Sequence, residues 1–258
     1  MKLSICTSNR DRLDLNSSST MLFFKSLEKQ SFQDFELVIA DGGSKNIKDL
    51  KKMQLPFPFK VVSVIIGEKF ERAKLNNVAV RNSTGDYAMT TDVDMFFGPN
   101  FFETVINRLE ERPNAFIESR TLYWKPVVAK RVYKGELNPF EDLEACKLGR
   151  IKKRTTAGGC QCQSKENWEK IKGFDEAMVQ WGSEDSDLLI RVSHLFPVIW
   201  LGESREEIQL FHQPHAKTQS QVKEDLHHQE KNKKILNLSK KDPSRKVNLD
   251  GWGGIYDA

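Results

Sequence analysis

Apolar residues along the first hundred positions alternate between two periods. Residues 3–8 read as a strand. Residues 19–29 read as a helix, with Leu22, Phe23, Ser26 and Leu27 on one stripe. A continuous apolar strand over 35–40 runs into the turn cluster Asp41-Gly42-Gly43-Ser44. Pro56 and Pro58 interrupt the chain before a third strand at 60–66. A helix over 72–82 stops at Gly85, and a buried strand over 87–91 leads into Asp92-Val93-Asp94. Strands separated by helices predict an α/β fold with a mostly parallel central sheet.

The second half is less regular. Residues 115–124 read as one strand, and the polar stretch 134–156 as an excursion or mobile loop. A short strand over 158–163 precedes a helix that Ser164 caps and that runs to Ile171, where Gly173 ends it. Ser183 is placed to cap a further helix over 184–195, with Leu188, Leu189, Val192 and Leu195 as its buried face. Strands near 197–201 and 208–212 follow, and a polar helix over 221–236 closes the chain.

Composition narrows the class without naming a function. The 258 residues suit one large α/β domain or two small ones, and 38% hydrophobic content supports a sizeable core. No apolar run reaches the about 18 residues of a membrane span, and the first residues lack a signal-peptide core. The default expectation is therefore a cytoplasmic protein. Cys6, Cys146, Cys160 and Cys162 form no C-x-x-C pair and read as reduced core thiols. Net charge is +4, and seven basic residues against Asp242 crowd 231–246. That run reads as a solvated helix face or tail, with peripheral contact to an anionic surface as its functional alternative.

Chemistry enters where strands end, since ligands of parallel sheets bind beyond the carboxyl ends of the strands. Thr7-Ser8-Asn9, Asp41-Gly42-Gly43 and Asp92-Val93-Asp94 all fall there. Two carboxylates one residue apart suit a hard cation, Mg²⁺ or Mn²⁺, that fills its shell with phosphate oxygens. In Trp181-Gly182-Ser183-Glu184-Asp185-Ser186-Asp187, three acids crowd a helix start. The helix dipole alone would favour them there. Trp181 adds a flat face for a sugar ring, Gly182 admits close backbone approach, and a carboxylate can act as general base. His212 ends a strand and can ligate a metal through neutral imidazole, with His215 three residues on.

Together these residues resemble family 2 glycosyltransferases. Phe35 to Ser44 resembles the family's uridine-binding strand, which usually ends in D-D-G-S. Asn77, then Asp86-Tyr87, then Asp92-Val93-Asp94 resemble its path to the D-x-D. Gly158-Gly159, Gly173-Phe174-Asp175-Glu176 and Trp181 to Asp185 resemble the C-terminal motif of galactosyltransferases, chondroitin-polymerase domains and polypeptide GalNAc-transferases. The resemblance covers roughly 1–216 and implies a GT-A fold, a Rossmann-like nucleotide-binding half (1–98) fused to an acceptor and catalytic half (99–216). Residues 217–258 would then be a C-terminal helix and basic tail.

The resemblance also implies roles. Thr7, Asn9, Arg10 and Asp41 would surround the base, with Arg72, Asn77, Asp92 and Val93 completing the UDP-sugar site. Asp94 and His212 would hold Mn²⁺ or Mg²⁺, with Asp92 and His215 as secondary candidates. Asp185 would be the catalytic base, assisted by Glu184, and Trp181 with Gly182 would form the sugar platform. The acceptor would be a glycan or other hydroxyl-bearing molecule and the transfer inverting. A retaining transfer of the polypeptide GalNAc-transferase kind and a polyanion-binding role for 231–246 are the alternatives. Two departures stand out. Gly42 replaces the second Asp of D-D-G-S, and Leu75-Asn76-Asn77 replaces A-R-N, leaving Arg72 or Lys74 to supply the missing charge.

Overall fold

The structure is a computed structural model. It describes residues 2–151, 158–215 and 219–254, with backbone alone for 219–226. The first half runs β1 (Leu3–Asn9), α1 (Ser18–Glu28), β2 (Phe35–Asp41), α2 (Ile47–Lys52), β3 (Phe59–Ser63), α3 (Arg72–Arg81) and β4 (Tyr87–Thr91). It continues through β5 (Met95–Phe97), α4 (Phe101–Glu111), β6 (Phe116–Ser119), β7 (Leu122–Trp124) and α5 (Pro126–Tyr133). The remainder is β8 (Gly149–Ile151), β9 (Gln161–Ser164), α6 (Lys165–Ile171), α7 (Glu184–Leu195), β10 (Val198–Leu201), β11 (Leu210–His212) and α8 (Gln219–Lys241).

Seven strands form the main sheet in the order β10-β6-β9-β4-β1-β2-β3. All pairs in it are parallel except those of β9, which runs antiparallel to β4 and β6. This is the mostly parallel α/β arrangement expected. β1, β2 and β4 are buried along their whole length, as strands covered on both faces must be. One face is filled by an aromatic cluster in which Phe23, Phe35, Phe57, Phe97, Phe101 and Phe102 meet with centroids 5.1–6.4 Å apart. Such pairs add about 0.5–1.5 kcal/mol each beyond their burial. On the other face Trp168 of α6 is fully buried and donates from Nε1 to the Ala88 carbonyl of β4 at 2.9 Å.

Register explains why the polar strand ends converge. Asn9 pairs with Asp41 across β1 and β2, and Thr7 with Thr91 across β1 and β4. A second sheet, β5-β11-β7-β8, stands beside the main one. Antiparallel pairing of β11 with β5 sets His212 opposite Met95, one residue past Asp94.

Several expectations need correction. The single strand over 115–124 is two, β6 in the main sheet and β7 in the small one. The chain crosses over at Arg120 and Thr121, where the Arg120 N–H donates to Leu201 O at 3.0 Å and its Nη1 to Glu203 O at 3.1 Å. The strand expected from Gly158 begins only at Gln161, because Gly158 and Gly159 sit at φ +119° and +96°. Ser164 caps α6 as expected, accepting from Asn167 N at 3.2 Å. Ser183 does not cap α7. It sits at φ +77° and its side chain makes no cap bond. The buried face of α7 is Glu184, Asp187, Leu188, Arg191 and Val192, while Leu195 is 54% exposed. Within 134–156 the chain forms a 3₁₀ turn at Glu144–Cys146 and then β8, and residues 152–156 lie outside the described residues. Helices α2, α4 and α5 add to the expected elements.

The C-terminal helix packs on α7. Ser239 Oγ donates to Asp187 Oδ1 at 2.5 Å, and Asn232 Nδ2 donates to the carbonyls of Val179 and Gly182 at 3.0 and 2.9 Å. Of the basic run, Arg245 turns inward to Asp175 and Asp187 at 2.6 and 3.2 Å, whereas its six lysines face solvent. The four cysteines are buried and unpaired. Among the described residues no helix is long and apolar enough to cross a membrane.

Candidate functional site

The carboxyl ends of β1 and β4 open onto a cleft of about 390 Å³. Ser8, Arg10, Asp11 and Arg12 line it after β1, Phe70 and Arg72 at the start of α3, and Asp92, Val93 and Asp94 after β4. Gln180, Trp181, His212 and His215 complete the wall. A larger hollow of about 600 Å³, between α1 and α5, meets the cleft at His215. None of the carboxylates lines it, so the smaller cleft is the candidate site.

Asp94, His212 and His215 bring their ligand atoms within 4.8 Å of one another. His212 Nε2 lies 3.6 Å from Asp94 Oδ1, and His215 Nε2 lies 3.3 Å from Asp94 Oδ2. Asp94 Oδ1 is buried with no hydrogen-bond partner among the described residues. A carboxylate with one orphaned oxygen and an imidazole beside each of its two oxygens fits a divalent metal. Tyr123 stacks on His212 at 4.5 Å and 21°, which fixes the imidazole plane. Asp92 does not join this group. Arg12, outside the expected set, also reaches Asp94 Oδ2, at 2.7 Å.

Arg72 is the hub of the acidic half. Its Nη2 donates to Asp92 Oδ1 at 2.8 Å, and its Nη1 to Glu184 Oε1 at 2.8 Å and Asp185 Oδ1 at 2.9 Å. Burial disfavours the guanidinium's charge, but Asp185, Asp92 and Glu184 outweigh it and push its pKa well up. Removing one side of a buried ion pair costs about 3–5 kcal/mol, so three carboxylates hold this cation firmly. Asp92 is desolvated too, yet the Arg72 charge and hydrogen bonds hold its carboxyl below the usual range. Asp185 differs. Burial raises its pKa, Arg72 opposes, Glu184 and Asp92 add to the rise, and the result is about 7. That is the proton affinity a general base at neutral pH requires.

The loop before α7 is strained. Gln180 and Ser183 both have positive φ, and Gly182 sits at φ +113°. Glu184 stabilises it by accepting the Gly182 N–H at 2.7 Å, a bond that, with Arg72, leaves its carboxylate 3% exposed. Trp181 is 43% exposed on the cleft wall.

Other expected residues lie beneath or away from the cleft. Thr7 is fully buried and donates to Thr91 O at 2.8 Å. Asn9 donates to Asp41 Oδ2 at 2.7 Å, while Asp41 Oδ1 accepts the N–H groups of Gly43 and Ser44. Both side chains are fully buried and shape the floor. Arg10 lines the cleft while its Nη1 holds the carbonyls of Gly67 and Glu68. Asn77 is not brought to the cleft. It is fully buried, donates to Phe174 O and Glu176 Oε1, and accepts the Phe174 N–H. A Cβ at Gly42 would lie 2.4 Å from Ile66 Cδ1, so the space that an aspartate would need is taken by Ile66. Lys74 pairs with Glu71 at 3.6 Å, which leaves Arg72 as the cleft cation of α3.

Comparison with known proteins agrees with this geometry. The model of "Glycosyl transferase family 2" matches residues 19–165, and that of "N-terminal domain of galactosyltransferase" matches residues 145–196. A Haemophilus influenzae protein described as "Uncharacterized glycosyltransferase" is 28% identical over 173 residues, 65% of this chain and 55% of the relative. The chain thus spans about half the length of the curated relative it matches. Among solved structures, S. aureus TarS superposes with a TM-score of 0.65 at 13% identity, over 95% of this chain and 41% of TarS. TarS 1-349 in complex with UDP-GlcNAc gives 0.65 at 13% identity, over 95% of this chain and 68% of that one. TarS 1-349 in complex with UDP gives 0.60 at 14%, over 90% and 65%. At these identities the likeness is one of fold, the GT-A arrangement.

Proposed function

This chain belongs to glycosyl transferase family 2, and from that premise we propose that it transfers a sugar from a UDP-sugar to a hydroxyl of a glycan acceptor, with inversion at the anomeric carbon. The observation that carries the reading is the cleft itself. Its wall carries Asp94, His212, His215, Arg72 and Trp181, and Arg72 reaches from that wall to Asp185 at 2.9 Å. The UDP and UDP-GlcNAc complexes of TarS, a fold neighbour, support a UDP-sugar as donor.

Asp94, His212 and His215 would hold the metal. Two imidazoles beside one carboxylate suit Mn²⁺ better than Mg²⁺, which prefers an all-oxygen shell. When bound, the metal supplies positive charge opposite the diphosphate as it leaves. Arg12, 2.7 Å from Asp94, and Arg10 also line the cleft, where they would add positive charge. Trp181 offers its ring face to a sugar. Asp185 takes the proton of the acceptor hydroxyl as that oxygen attacks the anomeric carbon. The bond from that carbon to the diphosphate breaks, and UDP departs with the bonding pair. The donor half is 1–98 and the acceptor half 99–216.

A single displacement inverts the anomeric centre. NMR of the product linkage is expected to show the anomer opposite to that of the donor, and a retained configuration would contradict the single-displacement reading.

A further inference from the structure

Strand β6 reads Phe-Ile-Glu-Ser, with all four residues buried. Its acid, Glu118, is 0% exposed. A carboxyl in such a place is costly unless something compensates it. Its Oε1 accepts the Gly158 N–H at 2.9 Å, and its Oε2 has no hydrogen-bond partner among the described residues. Gly158 sits at φ +119°, and a Cβ built on it would lie 2.5 Å from Asp185 Oδ2. Glu118, the Gly158 backbone and the Asp185 carboxylate therefore form one stack. Gln161, opposite Glu118 in the β6–β9 register, donates from Nε2 to the Asp185 carbonyl at 3.4 Å.

We propose that Glu118 is a positioning residue for Asp185, anchoring the left-handed Gly158 backbone against which the Asp185 carboxylate rests. The proposal rests on the assignment of Asp185 as the base. Around Glu118 stand Asp185 of α7 and Gln161 and Cys160 of β9. Around Asp185 stand Arg72 of α3, Glu184, Asp92 and Tyr123. Among the described residues, the cation in this company is Arg72, which is already bonded to three carboxylates. Burial pushes the Glu118 carboxyl well above its usual range against the Gly158 hydrogen bond, and the Asp185 charge adds to the rise. Burial and the Asp185 charge both favour the uncharged form of Glu118, and either form can accept the Gly158 N–H that makes it an anchor.

The test compares UDP release and donor KM across pH in wild type, Glu118→Gln, Glu118→Leu, Gly158→Ala and Asp185→Asn. Glutamine keeps the acceptor oxygen without charge, so Glu118→Gln is expected to hold turnover within about threefold and leave the acid limb of the pH profile in place. Glu118→Leu removes the acceptor and is expected to lower kcat toward the about 10²-fold cost of a misplaced catalytic group, with donor KM little changed. Gly158→Ala presses on the carboxylate from the other end of the stack and carries the test if the leucine variant fails to fold. Its expected pattern is the same loss in kcat. Full turnover in both, in an enzyme that Asp185→Asn disables, would overturn the proposal and leave the base assignment standing. Full turnover in Asp185→Asn would overturn both. An acid limb moved by about one pH unit or more in Glu118→Gln would mean that Glu118 acts on the base through its charge and would overturn the anchoring role.

Discussion

Asp185→Asn is expected to lower turnover by about 10²–10⁴-fold, the usual contribution of a positioned general base, with donor affinity little changed. The amide is nearly isosteric and can still accept from Arg72 Nη1, which lies 2.9 Å from Asp185 Oδ1. The substitution therefore removes proton affinity without opening the cleft. The pH profile gives a second reading of the same group. The base acts when deprotonated and its pKa is about 7, so wild-type turnover falls as pH drops through neutrality and levels off above it. In Asp185→Asn that limb disappears along with most of the rate. Steady-state kinetics with calorimetric titration of the donor separate the two effects. A variant that retained full turnover and the acid limb would place the base elsewhere.

Asp94→Ala is expected to abolish metal-dependent donor binding. Asp94 supplies the carboxylate between two imidazoles, and its buried Oδ1 has no other partner among the described residues. Loss of a mere outer-shell partner costs about 10–100-fold in metal affinity, and loss of the ligand itself should exceed that. His212 and His215 would remain, held by the β11 pairing and the Tyr123 stack, but without the charge that draws a dication. Calorimetry of UDP with and without Mn²⁺ is the measurement. Tight Mn²⁺-dependent binding in Asp94→Ala would remove this cluster from the donor site.

Much of this site is legible in sequence because strand ends announce themselves. An apolar run that stops at Asp92-Val93-Asp94, and another that stops at His212, place polar groups at one sheet edge whatever the details between. The details follow from pairing and not from local pattern. Asn9 and Asp41 look like ligand contacts along the chain, but the β1–β2 register sets them side by side, where they satisfy each other in the floor. Asn77 is polar on a helix, yet its partners lie about a hundred positions away at Phe174 and Glu176. The break between β6 and β7 is invisible because Arg120 and Thr121 interrupt the apolar pattern no more than an exposed strand position would. Arg12 lies just past the polar end of β1 and belongs to no motif. Glu118 did leave a signal, an acid inside an otherwise apolar strand, which burial rules alone mark as unusual. Arg72 was anticipated as a cleft cation, whereas its bonds to Asp92, Glu184 and Asp185 could come only from the folded chain.

The central claim is that the cleft binds a nucleotide sugar through a metal and activates it for transfer. It is tested most directly by incubating the protein with a panel of UDP-sugars and measuring UDP release with Mn²⁺ and with chelator. Release from at least one UDP-sugar with Mn²⁺, and its loss with chelator, is the result this account predicts. Equal release with Mn²⁺ and with chelator, or none from any UDP-sugar with Mn²⁺ and hydroxyl acceptors present, would contradict it.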